Sequence, residues 1–125
     1  MRTDRVPIMT NLSMATGQTS IGMDVSQYAI GAIQAEWTGS PVGTLELQIS
    51  TDIVPISTTT DIPIGPNPAG NVVNWSVYTA SIQSVSGPGN FLWNMNFLGF
   101  RWVQLVWIPT SGTGIIKATF CGKGG

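Results

Sequence analysis

Residues 101–121, Arg101-Trp-Val-Gln-Leu-Val-Trp-Ile-Pro-Thr-Ser-Gly-Thr-Gly-Ile-Ile-Lys-Ala-Thr-Phe-Cys121, decide the fold class. The first arm sets Val103, Leu105 and Trp107 on one face against Trp102, Gln104 and Val106 on the other. The second sets Ile116, Ala118 and Phe120 against Ile115, Lys117 and Thr119. Side chains of a strand point alternately to opposite faces, so each arm owns one face fit for a core. The link Thr110–Gly114 is built of Ser, Thr and Gly, which accept tight or left-handed turns. This reads as a β-hairpin whose Val103/Leu105/Trp107 face is core.

The same pattern recurs upstream. Thr44–Ser50 alternates Leu45, Leu47 and Ile49 inward with Glu46 and Gln48 outward. Across the Gly39-Ser-Pro-Val-Gly43 turn it faces Ala32–Thr38, where Ile33, Ala35 and Trp37 alternate with Gln34 and Glu36. A second hairpin is expected there. Ile21–Val25 reads as a short strand. Asp24–Ala35 also fits a short helix, but Gly31 and the period-two stretch favour strand. Asn71–Ile82 places Val73, Trp75 and Val77 on one face, and Phe91, Trp93, Met95 and Phe97 share another. Between Ser50 and Asn71, residues 51–70 hold four prolines, which cannot donate to a central ladder. They predict a surface loop with at most an edge strand near Ile53–Ile56. Residues 1–20 read as an extended N-terminal arm with a short strand around Pro7–Met14, and 21–125 as a single β-sandwich domain. The expected class is all-β: an antiparallel β-sandwich, jelly-roll-like, of about seven or eight strands.

Composition narrows the function classes. The 125 residues suit one domain with a real core. Five basic and six acidic residues leave a net charge of −1, with no basic stripe to neutralise phosphates, so no direct nucleic-acid partner is expected. No stretch approaches the roughly 20 apolar residues of a membrane span. Met1-Arg-Thr-Asp-Arg-Val-Pro7 lacks the apolar region of a signal peptide, which predicts assembly in a cytoplasm. Histidine is absent and Cys121 is the single cysteine. The commonest general base and any Cys/His metal cluster are therefore excluded, and no cofactor is implied.

Few groups are left that could act chemically. Glu36 and Glu46 flank the Gly39–Gly43 turn and would be a glycosidase pair only if they met across it. Asp52 and Asp61 bracket a loop that could offer carbonyls to calcium, but a plain loop explains them as well. Ser and Thr are abundant without a nucleophile elbow, and Gly112 and Gly114 sit in a turn without the Lys-Ser/Thr of a phosphate loop. Five tryptophans are many for this length. Trp37, Trp93 and Trp107 share faces with aliphatics and read as core. Trp102 shares its face with Gln104 and follows Arg101, so it reads as an exposed anchor for a subunit or a sugar ring.

Gly43-Thr-Leu-Glu-Leu-Gln-Ile-Ser-Thr-Asp52, Asn74-Trp75, Arg101–Trp107 and Ser111-Gly-Thr-Gly114 before Ile116–Lys123 resemble the small β-sandwich structural proteins of tailed bacteriophages. The resemblance spans about residues 32–124 and departs at Gln104, where the family pattern has Arg. It implies a virion component without enzymatic activity, most simply a capsid decoration, or cement, protein that stabilises the head surface. It also implies a homo-oligomer, a trimer for preference, bound to the major capsid protein. Arg2, Arg5, Val6 and Ile8 of the arm and Arg101 and Trp102 of the hairpin are the expected interface residues. The alternative is a carbohydrate-binding module of a head or tail fibre that meets a host surface glycan through Trp102 and the 51–70 loop.

Overall fold

The computed structural model describes residues 3–51, 75–78, 81–96 and 101–124. Among the described residues, ten strands run in chain order: β1 (Thr3–Ser13), β2 (Gln18–Thr19), β3 (Met23–Asp24), β4 (Tyr28–Gly39), β5 (Val42–Ser50), β6 (Ser76–Val77), β7 (Gln83–Ser86), β8 (Gly89–Asn96), β9 (Trp102–Ser111) and β10 (Gly114–Gly124). They form two antiparallel sheets. One has the order β1-β10-β4-β8. In the other, β9 and β5 are central; β2 and β3 both pair β9, and β6 and β7 both pair β5. Each of those outer positions is thus one broken strand, and the fold is the expected all-β sandwich. The edge strand expected near Ile53–Ile56 and half of Asn71–Ile82 lie outside the described residues. Trp75 is half-buried and Val77 is exposed.

The core is where alternation puts it. Ile33, Ala35 and Trp37 of β4, Trp93 and Met95 of β8, and Ile116, Ala118 and Phe120 of β10 line one sheet. Leu45 and Leu47 of β5 and Val103, Leu105 and Trp107 of β9 line the other. The three core tryptophans bury their rings, and each indole N–H donates to a backbone carbonyl: Trp37 to Gly87, Trp93 to Ser81 and Trp107 to Met14, all at 2.8 Å. A buried indole needs such a partner. Here all three accepting carbonyls lie outside the long strands.

Neither expected hairpin forms. β4 pairs β10 and β5 pairs β9, so both turns carry the chain from one sheet to the other. The two links lie side by side. Gly39 registers with Gly114, Val42 with Ser111, and the Ser40 N–H donates to the Thr113 carbonyl at 2.8 Å. Gly39 (φ 87°) and Gly112 (φ 81°) serve this close approach. A Cβ on Gly112 would run into the Ser40 carbonyl, and one on Gly39 would sit 2.6 Å from the Thr113 oxygen. Turn residues alone do not separate a hairpin from a link between sheets, because both need glycine where backbones crowd.

Residues 3–19 hold the strand expected around Pro7–Met14, in a longer form and paired within the chain. They are no free arm: β1 registers with β10 from Thr3↔Lys123 to Ser13↔Ile115. Ile8 and Met9, on adjacent positions, are both buried, which the strand tolerates because its register shifts between Pro7 and Met9. Met14 closes the end of the core at 0 % exposure. The Tyr28 hydroxyl donates to Asp4 Oδ2 at 2.7 Å, and the Ile21 N–H to the Ile8 carbonyl at 3.2 Å.

Candidate interface surfaces

The Trp102 corner is closed. Trp102 lies on the face of β9 opposite Val103, Leu105 and Trp107, and is 0 % exposed, covered by its own chain. It registers with Asp24 of β3 and Ser50 of β5. The Arg101 guanidinium lies 5.7 Å from its ring centroid. Arg101 is itself engaged: Nη2 and Nε donate to Asp24 Oδ2 at 2.9 and 3.2 Å. Asp24 Oδ1 accepts from the Ser26 N–H at 2.9 Å, so its buried carboxylate is satisfied on both oxygens. The Val25 N–H donates to the Arg101 carbonyl and the Arg101 N–H to the Ser50 carbonyl. Arg101 and Asp24 thus pin the β3–β4 link to the start of β9. Trp102 is thereby corrected from an exposed contact to internal structure, whereas Arg101 keeps a side chain 37 % exposed and held by Asp24. Asp24→Ala should cost about 1–3 kcal/mol, since the Ser26 N–H loses its acceptor and Arg101 stays partly hydrated. Urea denaturation measures this; an unchanged midpoint would show the pair to be ornamental.

Beside this corner, Gln104 Nε2 donates to Gln48 Oε1 at 2.8 Å and Gln48 Nε2 donates to Glu46 Oε2 at 3.0 Å. Glu46 is buried in this row on the outer side of the six-stranded sheet. Glu36 stands on the outer side of the other sheet, 3.0 Å from Lys117 Nζ. With the whole core between them, the two carboxylates cannot act as a pair. Asp52 and Asp61 lie outside the described residues.

The outer face of the four-stranded sheet is open. Its register sets Arg5–Cys121–Ala32–Asn94 in one row and Lys117–Glu36–Asn90 in another, with Lys123–Ile30–Asn96 at one end. Among the described residues, Arg5, Lys117 and Lys123 oppose one acid there, Glu36, in a chain of net charge −1. The Lys117–Glu36 pair is more than half exposed on both sides and holds little. Ile30, Leu92 and Ile115 are 45–47 % exposed on the same face. A groove of about 520 Å³ runs over Ile30, Ala32, Asn94, Asn96, Cys121 and Lys123 and is lined as well by Met95 and Tyr78. Of the expected interface residues, Arg5 is exposed here, Val6 is half-buried, Ile8 is core, and Arg2 lies outside the described residues. Lys117 and Lys123 are not among the residues expected at an interface. Their signal was alternation against Ala118 and Gly122, which becomes a basic face only once β1 lies beside β10.

No family model matches the chain, and no curated protein matches it. Among solved structures it is similar to the SPBc2 prophage-derived protein YomS, with a TM-score of 0.52, 12 % sequence identity, and coverage of 98 % of this chain and 96 % of that one. The likeness is one of fold, and it runs end to end, β1 included.

Proposed function

We propose that the protein is a non-enzymatic structural component of a bacteriophage particle, bound to the head surface as a decoration protein. The observation that carries this reading is the shared fold with a prophage-derived protein over nearly the full length of both chains. The motif resemblance of residues 32–124 to phage sandwich proteins points the same way. The head-facing surface in this reading is the outer face of the four-stranded sheet. Arg5, Lys117 and Lys123 would meet acidic groups of the capsid lattice, with Ile30, Leu92 and Ile115 buried between them. Each contact is modest, and many copies on one lattice hold by avidity. The glycan-binding alternative loses Trp102 as an exposed ring; residues 52–70 of the loop it also invokes lie outside the described residues.

Antibody labelling of purified particles tests the reading: gold is expected over the heads. Particles without label overturn the virion assignment, and label confined to tails or fibres overturns decoration. The combined variant Arg5→Glu, Lys117→Glu, Lys123→Glu changes only outward-pointing side chains. It should fold normally and occupy heads about tenfold less. Full occupancy would remove this face from the contact.

A further inference from the structure

We infer that the outer edge of β8, unpaired among the described residues, is a self-association surface, on which a second copy of this chain adds its own β8 in antiparallel register. An unpaired sheet edge offers a row of N–H and C=O groups to any strand, and proteins blunt such edges with proline, charge, bulges or very short strands. Among the described residues, the other edges carry these devices. β1 has Pro7, the charges of Asp4 and Arg5, shifts of register on both sides of Met9, and Asn11 at φ 50°. β2, β3 and β6 are two residues long, and β7 four. β8 has none of them. Gly89-Asn-Phe-Leu-Trp-Asn-Met-Asn96 holds no proline and no charge, and pairs β4 without interruption from Trp37↔Gly89 to Ile30↔Asn96.

The sequence of β8 also says what fits it. Read about Trp93, it is nearly its own mirror: Asn90 answers Asn96, Phe91 answers Met95, and Leu92 answers Asn94. A two-fold axis at Trp93 pairs the strand with itself in that register. Amide then faces amide on the outer side, where Asn side chains can bond reciprocally. Phe91, half-buried at the edge and in edge-on contact with Trp93 at 4.9 Å, meets Met95 of the second copy on the inner side. No like charges oppose each other. The pairing joins two four-stranded sheets into one continuous sheet and doubles the open face, and it yields a dimer in place of the trimer that the family resemblance implies. It stands on the edge alone and is independent of the particle reading.

Light scattering on the purified full chain, at about 100 μM, tests this. The expected mass is twice the chain's 13.3 kDa. Leu92→Lys with Asn94→Lys points four lysines at one another across the axis from exposed positions, and should halve the mass with an unchanged circular dichroism spectrum. Leu92→Glu with Asn94→Glu should likewise be monomeric, and an equimolar mixture of the two variants should recover the dimer. A monomeric or trimeric parent overturns the inference, as does a lysine variant that stays dimeric. Should that lysine variant misfold, the parent's amide exchange decides: β8 amides as slow as those of central β4 support pairing, and exchange at the rate of an open edge refutes it.

Discussion

Removal of residues 1–10 is expected to abolish cooperative folding. The deletion takes Ile8 and Met9 out of the core at 4 and 2 % exposure, and truncation of such side chains costs about 2–5 kcal/mol each. Their sum approaches the whole stability of an ordinary domain, about 5–15 kcal/mol. The Tyr28–Asp4 hydrogen bond goes with them. So does the cover over β10 from Ala118 to Lys123, which would become a bare edge prone to aggregate. Expression should give insoluble protein, or soluble protein without a cooperative thermal transition. A soluble, sharply melting product would mean that β1 is a dispensable appendage. Particle binding lost by this truncation would report unfolding and say nothing about contact. The charge reversal of Arg5, Lys117 and Lys123 is the variant that separates the two.

Trp102→Ala is expected to destabilise the protein by about 3–5 kcal/mol, the range for removing a fully buried large aromatic. The melting temperature should fall by about 10–20 °C. The ring is enclosed beside the Arg101–Asp24 pair, so its loss leaves a cavity next to two charges whose geometry it supports. Trp102→Phe should recover much of the loss by refilling part of the volume. Thermal denaturation followed by circular dichroism decides the matter. An unchanged melting temperature combined with lost binding to a partner would restore Trp102 to the surface role that its sequence neighbours suggest.

The contrast between Trp102 and Trp107 shows where alternation stops being informative. Trp107 shares its face with Val103 and Leu105, and the face is core, as the pattern says. Trp102 shares its face with Gln104, so the pattern assigns it to the surface. Yet Trp102 and Gln104 are both buried, the latter with a hydrogen bond to Gln48. Periodicity sorts residues between two faces of a strand; it does not say whether the second face is also covered. Arg101 misleads for a related reason. Its partner Asp24 is 77 residues away in sequence, and the pair exists only because β3 docks on β9.

Pairing is the other limit. Residues 32–38 against 44–50, and 103–107 against 116–120, carry all the marks of two hairpins. The strands are real and their inward faces are correct. They exchange partners, β4 with β10 and β5 with β9, because each glycine-bearing link crosses the core instead of turning within a sheet. A link between sheets and a hairpin bury the same alternating faces, so no count of apolar positions distinguishes them. The crossing decides which surfaces are open. It puts Glu36 and Glu46 on opposite sides of the molecule. It brings Arg5 beside β10, where Lys117 and Lys123 already point outward. It leaves β8 at the end of its sheet.

By itself, then, the amino-acid order determined the all-β class, the strands near 32–38, 44–50, 91–96 and 102–120, and the core tryptophans, since period-two apolarity is a local property of extended chain. It also held the mirrored pattern of β8, although that pattern has meaning only at an edge. The tertiary structure alone decided strand partners, the inclusion of residues 3–13 in a sheet, the burial of Trp102 and the basic outer face. Each of these depends on which distant segments come to lie side by side, a choice made by the packing of two sheets across one core and invisible to any local pattern.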